Sequence, residues 1–315
     1  MAEPLRIATY DAGLRRDGPG LLLRDITLAE DQATAAIAMI AALKADILLL
    51  TGMDQDQQGA SLRALAEALA ARGVHYPHLL PLAGNRGVET GLDLDGDGRS
   101  GGPGDAQGWG RFTGAGGMAL LSRYPVDPAG LIDMSSLLWR DLPGAEMPQK
   151  DGQAFPSDAA QAVQRLSSSG HYAIPVRTPK GQITLLAFAA TPPVFDGPED
   201  RNGRRNFDEA VLWLHVLNGR MDEVPQMPVI LLGNLNVDPE RGDGLREAAR
   251  RVLGHDRLQD PIPGSDTVRW DSTGPMRVSY VLPDARFAVI GAGVTGPAAD
   301  AGPHGLVWVD LAWPR

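Results

Sequence analysis

The sequence predicts a layered α/β protein folded as one domain. Short apolar runs alternate with amphipathic stretches along the whole chain, the order in which sheets and the helices covering them are laid down. Several runs are unbroken rather than alternating, as expected of strands covered on both faces. No Pro/Ser-rich linker or block of like charge divides the 315 residues, and a chain this long buries a large core without disulfide or metal staples.

In chain order, strands are read at 5–10, 47–51, 118–122, 173–177, 183–189, 229–233, 278–282 and 306–311. Each is short, apolar and bounded by turn residues. Helical spacing of apolar residues fills 33–43, 61–71, 207–217 and 245–253. Asn206, followed three residues later by Glu209, has the form of a capping box opening the third helix. Two stretches read as irregular insertions: 84–117, rich in Gly and Asp, and 139–170, rich in Pro, Ser and polar residues. Connections of that length inside a domain are usually functional or disordered.

Composition excludes several functions. The chain has no cysteine, which removes disulfides, thiolate zinc sites and cysteine nucleophiles together. Its 39 acidic against 29 basic residues, a formal charge of −10, argue against broad nucleic-acid binding, which depends on Lys and Arg neutralising phosphates. The expected partner is therefore an unidentified protein or small molecule, with neither nucleic acid nor membrane. The first apolar strand begins near Leu5, leaving no room for a charged n-region and an apolar h-region, so a cytoplasmic location is expected unless a leader was removed. No apolar run approaches the length that spans a bilayer.

Seven segments carry a family resemblance: 6–14 (RIATYDAGL), 46–54 (DILLLTGMD), 117–125 (GMALLSRYP), 191–209 (TPPVFDGPEDRNGRRNFDE), 231–239 (LLGNLNVDP), 277–283 (RVSYVLP) and 302–311 (GPHGLVWVDL). Together they resemble the endonuclease/exonuclease/phosphatase superfamily of metal-dependent phosphoesterases. The resemblance implies a four-layer α/β sandwich, two mostly antiparallel sheets flanked by helices. It also implies a cleft at the strand ends, where carboxylates would hold Mg²⁺ and a polarised water would attack the phosphorus.

On that pattern the framework persists while the chemistry is largely replaced. The family's first asparagine falls on Asp11 and its metal-binding glutamate on Gly52. A histidine falls on Ala189, the aspartate of GDxN on Asn234, and the aspartate of RVDYVLP on Ser279. In the closing signature the aspartate falls on Pro303 and the arginine on Gly305, while Asn236 and His304 match. Asp11, Asn234, Asn236 and His304 are thus the residual catalytic positions, expected to be inactive; ordinary strand-end polar residues would look the same. His171 corresponds to a histidine of close family members that faces the cleft.

Arg201 and Asn202, within the 191–209 match, are candidate binding residues, since clustered arginines pair with phosphate or carboxylate. The Pro-Pro, Asp-Gly and Asn-Gly pairs around them favour a scaffold role instead. Asp93, Asp95 and Asp97, in GLDLDGDG, occupy positions 1, 3 and 5 of a calcium-loop pattern with glycine at position 6. Position 12 is Gly104, with Asp105 one residue late, so these four aspartates are candidate ligands of a structural Ca²⁺. The scattered tryptophans, and His75 and His78, read as core or surface residues.

Three functions stay open. The first is a catalytically inactive relative, a pseudoenzyme serving as a binding or interaction module. The second is a working metal-dependent phosphodiesterase or phosphatase with relocated ligands, using Mg²⁺ held by Asp11 with Asp271 or Asp284. The third is a calcium-dependent recognition protein.

Overall fold

The computed structural model describes residues 4–313 except 83 and 299. In chain order it contains β1 (Leu5–Leu14), α1 (Leu21–Thr27), α2 (Asp31–Leu43), β2 (Ile47–Met53), α3 (Ala60–Ala70), β3 (His78–Leu82), β4 (Gly117–Ser122) and β5 (Ile132–Asp133). The hairpin β6 (Gln149–Lys150) and β7 (Gln153–Ala154) follows, then α4 (Asp158–Val163), β8 (His171–Thr178), β9 (Gly181–Ala189), α5 (Arg201–Leu217), β10 (Val229–Asn234) and α6 (Glu247–Leu253). The chain closes with β11 (Val268–Trp270), β12 (Gly274–Met276), β13 (Ser279–Pro283), β14 (Ala288–Thr295) and β15 (Leu306–Ala312).

Two main sheets form, ordered β14-β15-β1-β2-β4-β3 and β13-β10-β9-β8-β5. Only β1 with β2 and β9 with β10 pair in parallel; the other neighbours in these sheets are antiparallel. Alternation along the strands builds the layers. Ile7, Leu49, Leu120, Ile174, Leu185 and Ile230 meet between the sheets, while Ala8, Tyr10, Leu48 and Leu50 turn outward onto α1, α2 and α3. On the other side Leu186, Phe188 and Leu231 pack against α5 and α6. The order helix, sheet, sheet, helix is the expected four-layer sandwich. Coverage of both faces is why the central strands read as unbroken apolar runs.

The differences from the sequence reading have physical causes. β3 and β14, which escape notice in the sequence, are the two edges of the first sheet. β3 carries Pro81, tolerated where one side of the strand is unpaired. β14 carries Gly291 and Gly293, and Gly293 lets Trp308 approach to within 3.2 Å of where a Cβ would stand. α5 begins at Arg201, not at 207, so Asn206 and Glu209 do not form a capping box. Asn206 Nδ2 instead donates to the Thr191 and Leu235 carbonyls, at 2.7 Å each. Glu209 accepts from the backbone N–H groups of Ser168 and Thr191.

The two insertions are packed against each other. Asn85 donates to the carbonyls of Ser135 and Ser167 and accepts from Arg165. Arg205, buried in α5, donates to the carbonyls of Leu166, Gln107 and Arg165. Among the described residues, no single helix is long and apolar enough to cross a membrane.

Candidate functional site

At the ends of β1 and β10 the two sheets are tied by one polar link: Asn234 Nδ2 donates to Asp11 Oδ2 at 3.2 Å. Strand register brings the neighbouring positions to the same place. Asp11 lies beside Thr51, and Asn234 lies between Ala189 and Ser279. Asn236 follows in the left-handed region (φ 54°), a conformation asparagine tolerates. Its N–H donates to Asn234 Oδ1 at 2.9 Å, and its side chain donates to the Ala190 carbonyl at 2.7 Å. His304 is buried, packs edge-on against Trp270, and is electrostatically coupled to Asp11. Asp11, Asn234, Asn236 and His304 are therefore assembled by both sheets and by the loop preceding β15.

The decisive neighbour is Arg15. Its Nη2 contacts Asp11 Oδ2 at 2.6 Å, four residues along after β1 turns at Gly13. Gly52 has φ +65°, and a Cβ placed there would lie 2.3 Å from Arg15 Nη2, 2.5 Å from Arg15 Cζ and 2.4 Å from Asp11 Oδ1. The guanidinium thus fills the volume from which a side chain at position 52 would project. Burial works to raise Asp11, but the charges of Arg15 and His304, with hydrogen bonds from Arg15 and the Gly13 N–H, hold it well below the usual carboxylate range. His304 is pushed down by burial, with Asp11 opposing and Arg15 reinforcing. Three buried polar atoms around this link, Thr51 Oγ1, Ser279 Oγ and His304 Nδ1, have no hydrogen-bond partner among the described residues.

This donor set does not fit a magnesium ion. Mg²⁺ requires near-octahedral oxygen ligands at about 2.0–2.1 Å, whereas the one carboxylate here is committed to a guanidinium that would repel the ion.

The remaining sequence candidates lie elsewhere. His171 is fully buried, stacked on Phe188 at 4.9 Å between ring centroids. Its Nδ1 meets Ser167 Oγ at 2.6 Å and its Nε2 meets the Glu209 carbonyl at 2.9 Å, so it offers the cleft no free nitrogen. Burial pulls it down to about 4. Arg201 donates to the Leu94 carbonyl, and Asn202 donates to Asp196 and to the Val194 carbonyl. Arg201 thus ties the 191–209 segment to the acidic loop, while Asn202 closes that segment on itself.

In that loop the Asp93, Asp95 and Asp97 carboxylates come within 4.8 Å of one another. Asp105 turns inward instead, closing the loop on Leu94 N (2.9 Å) and Gly102 N (2.8 Å). A side chain at position 104 has no space, because its Cβ would lie 1.9 Å from Asp95 Oδ2.

Sequence reasoning missed Arg15, Arg86 and Arg111. The available signal was the Arg15-Arg16 pair directly after the first strand.

A family model described as "Endonuclease/Exonuclease/phosphatase family" matches residues 21–309. The chain belongs to the endonuclease/exonuclease/phosphatase family. A comparison with curated proteins gave no match. Among solved structures, an endonuclease/exonuclease/phosphatase from Beutenbergia cavernae aligns at TM-score 0.60 and 20% identity, covering 98% of this chain and 72% of that one. Sphingomyelinase C from Streptomyces griseocarneus aligns at TM-score 0.56 and 16% identity over 99% and 100%. A Staphylococcus aureus beta toxin mutant with bound magnesium ions aligns at 0.53 and 13% over 98% and 99%. At these identities the shared property is the fold, and fold does not carry activity with it.

Proposed function

We propose that this family member does not turn over phosphoesters and acts as a binding or interaction module. The observation that carries this reading is the Arg15 guanidinium, seated in the volume a side chain at position 52 would occupy and paired with Asp11. By the family resemblance, a metal-binding glutamate would project from position 52, and a protein cation fills that space instead. The test is hydrolysis of p-nitrophenyl phosphate and bis-p-nitrophenyl phosphate with Mg²⁺, Mn²⁺ or Ca²⁺, with Asp11→Ala as control. The expected result is no release above buffer in either protein; metal-dependent release lost in Asp11→Ala would establish the rival, a working enzyme with relocated ligands. Geometry disfavours one such ligand. Asp284 follows the far end of β13 from Ser279 and is paired with Arg286 at 2.8 Å. Asp271 sits on the exposed turn between β11 and β12.

For the acidic loop, the reading is a structural Ca²⁺ held by Asp93, Asp95 and Asp97, whose oxygens converge at the spacing a hard cation needs. Millimolar Ca²⁺ should raise the Tm of the wild type and leave that of Asp93→Ala unmoved. An equal rise in both would remove the loop as the site.

A further inference from the structure

Arg15 also lines a cavity of about 250 Å³, together with Arg16, Asp54, Arg86, Trp109 and Arg111. Four arginines around one small cavity are unexpected in a chain of net charge −10, and they are not equally committed. Arg16 spends its donors internally, on Asp25, Gln32 and the carbonyls of Gly13 and Arg15. Among the described residues Arg15 uses only Nη2, on Asp11. Arg86 makes one hydrogen bond, Nε to the Ala115 carbonyl at 3.0 Å, and its terminal nitrogens have neither a hydrogen bond nor an ion pair among the described residues. Arg111 meets Asp17 at 2.9 Å in a pair whose members are 54% and 86% exposed, an arrangement that contributes little and opens readily.

The two inner guanidinium groups converge despite their like charge. A Cβ on Gly116 would lie 3.0 Å from Arg15 Nε and 3.2 Å from Arg86 Nε, so the glycine leaves both side chains room to meet. Burial and then the charge of Arg15 pull Arg86 down to about 10, the mark of a buried cation short of counter-charge. Asp11, Glu209 and Asp54 offset this only in part, and Asp54 makes no ion pair with Arg86 among the described residues. Its two oxygens accept from Arg16 N and Gly116 N at 2.7 Å each, which fixes the loop, and burial pushes it up. At the mouth Trp109 is 54% exposed, an indole face open to a flat ring.

We propose that this cavity binds a phosphomonoester carried on a planar ring, the phosphate between Arg15 and Arg86 with Arg111 closing from the rim, and the ring against Trp109. Guanidinium forks match phosphate oxygens in geometry and charge, and an aromatic face accepts a ring with little loss of freedom. The site uses none of Asn234, Asn236 or His304. It names the ligand of the binding module above and so rests on that reading, but the two fail separately. Phenylphosphonate, whose P–C bond is not hydrolysed, is titrated calorimetrically in EDTA buffer, where turnover plays no part.

Wild type should bind phenylphosphonate with a Kd below about 1 mM and more tightly than inorganic phosphate or benzoate. Arg86→Gln and the rim variant Arg111→Gln should each weaken it at least tenfold. Trp109→Ala, at an exposed position that does not endanger folding, should reduce affinity for phenylphosphonate to that for inorganic phosphate. Absence of heat at millimolar phenylphosphonate, equal affinity for benzoate, or unchanged affinity in both arginine variants would each overturn the assignment. Metal-dependent hydrolysis of p-nitrophenyl phosphate would sink the non-catalytic reading while leaving the phosphonate result standing.

Discussion

Replacing Arg15 with alanine leaves Asp11, 4% exposed, with only the Asn234 amide at 3.2 Å and the Gly13 N–H at 3.3 Å as support near neutral pH, where His304, pushed down by burial, is uncharged. Removing one partner of a fully buried pair costs about 3–5 kcal/mol. The Arg15 side chain is itself 43% exposed, so solvent already screens part of the interaction, and about 2–3 kcal/mol is the expected loss at pH 7.5. For a chain this long, with about 2.1 cal/mol/K of unfolding entropy per residue, that lowers Tm by about 3–5 °C.

The sign of the pH dependence follows from Asp11. In the wild type its folded pKa is depressed, so its contribution is fully present above the unfolded value of about 4 and is lost only as pH falls through the folded one. In Arg15→Ala burial loses its main opponent and Asp11 is raised, so the variant gains stability by taking up a proton in mild acid. The Tm gap between the two proteins should therefore shrink from pH 7.5 to pH 5 in thermal melts followed by circular dichroism. A gap that is absent, or constant with pH, would refute the claim that Arg15 is the counter-charge of Asp11.

Gly52→Ala places a Cβ in the left-handed region and against Arg15 and Asp11; about 1 kcal/mol of backbone strain and about 1–3 of overpacking should appear in urea unfolding. Because Arg15 can swing away only by abandoning Asp11, Gly52→Ala and Arg15→Ala should combine less than additively. Arg205→Ala strands three carbonyl acceptors and should cost about 3 kcal/mol, with faster hydrogen exchange concentrated in 84–116 and 134–170; exchange unchanged there would mean the insertions hold without it. His171, pulled down to about 4 by burial, should show no ring titration by NMR between pH 8 and pH 5. With a folded pKa below the unfolded value of about 6.5, it contributes stability that is present above that value and lost as pH falls toward about 4.

The sandwich was legible in the sequence wherever both faces of a strand are covered, since burial on two sides enforces the apolar runs of β1, β2, β9, β10 and β15. It was not legible at the edges of the first sheet. There Pro81, Gly291 and Gly293 are allowed by an unpaired side or by contact with Trp308, and the composition signal disappears. The start of α5 was misread because Asn206 and Glu209 have capping chemistry, yet tertiary contacts claim both side chains: Asn206 for two carbonyls and Glu209 for two amides from other elements. Asp11, Asn234, Asn236 and His304 could be singled out along the chain because each sits in a segment that carries the family resemblance.

By itself the sequence determined the layers and the family framework, and it put a glycine at position 52 and an alanine at position 189, because these follow from local pattern and residue identity. Only the tertiary structure decided what surrounds those positions. Arg15 turns back onto Asp11 beneath Gly52, and Arg86, from a distant insertion, meets it across Gly116. Charge compensation between residues far apart in the chain depends on distances through space, and those are set by how two sheets and two insertions pack.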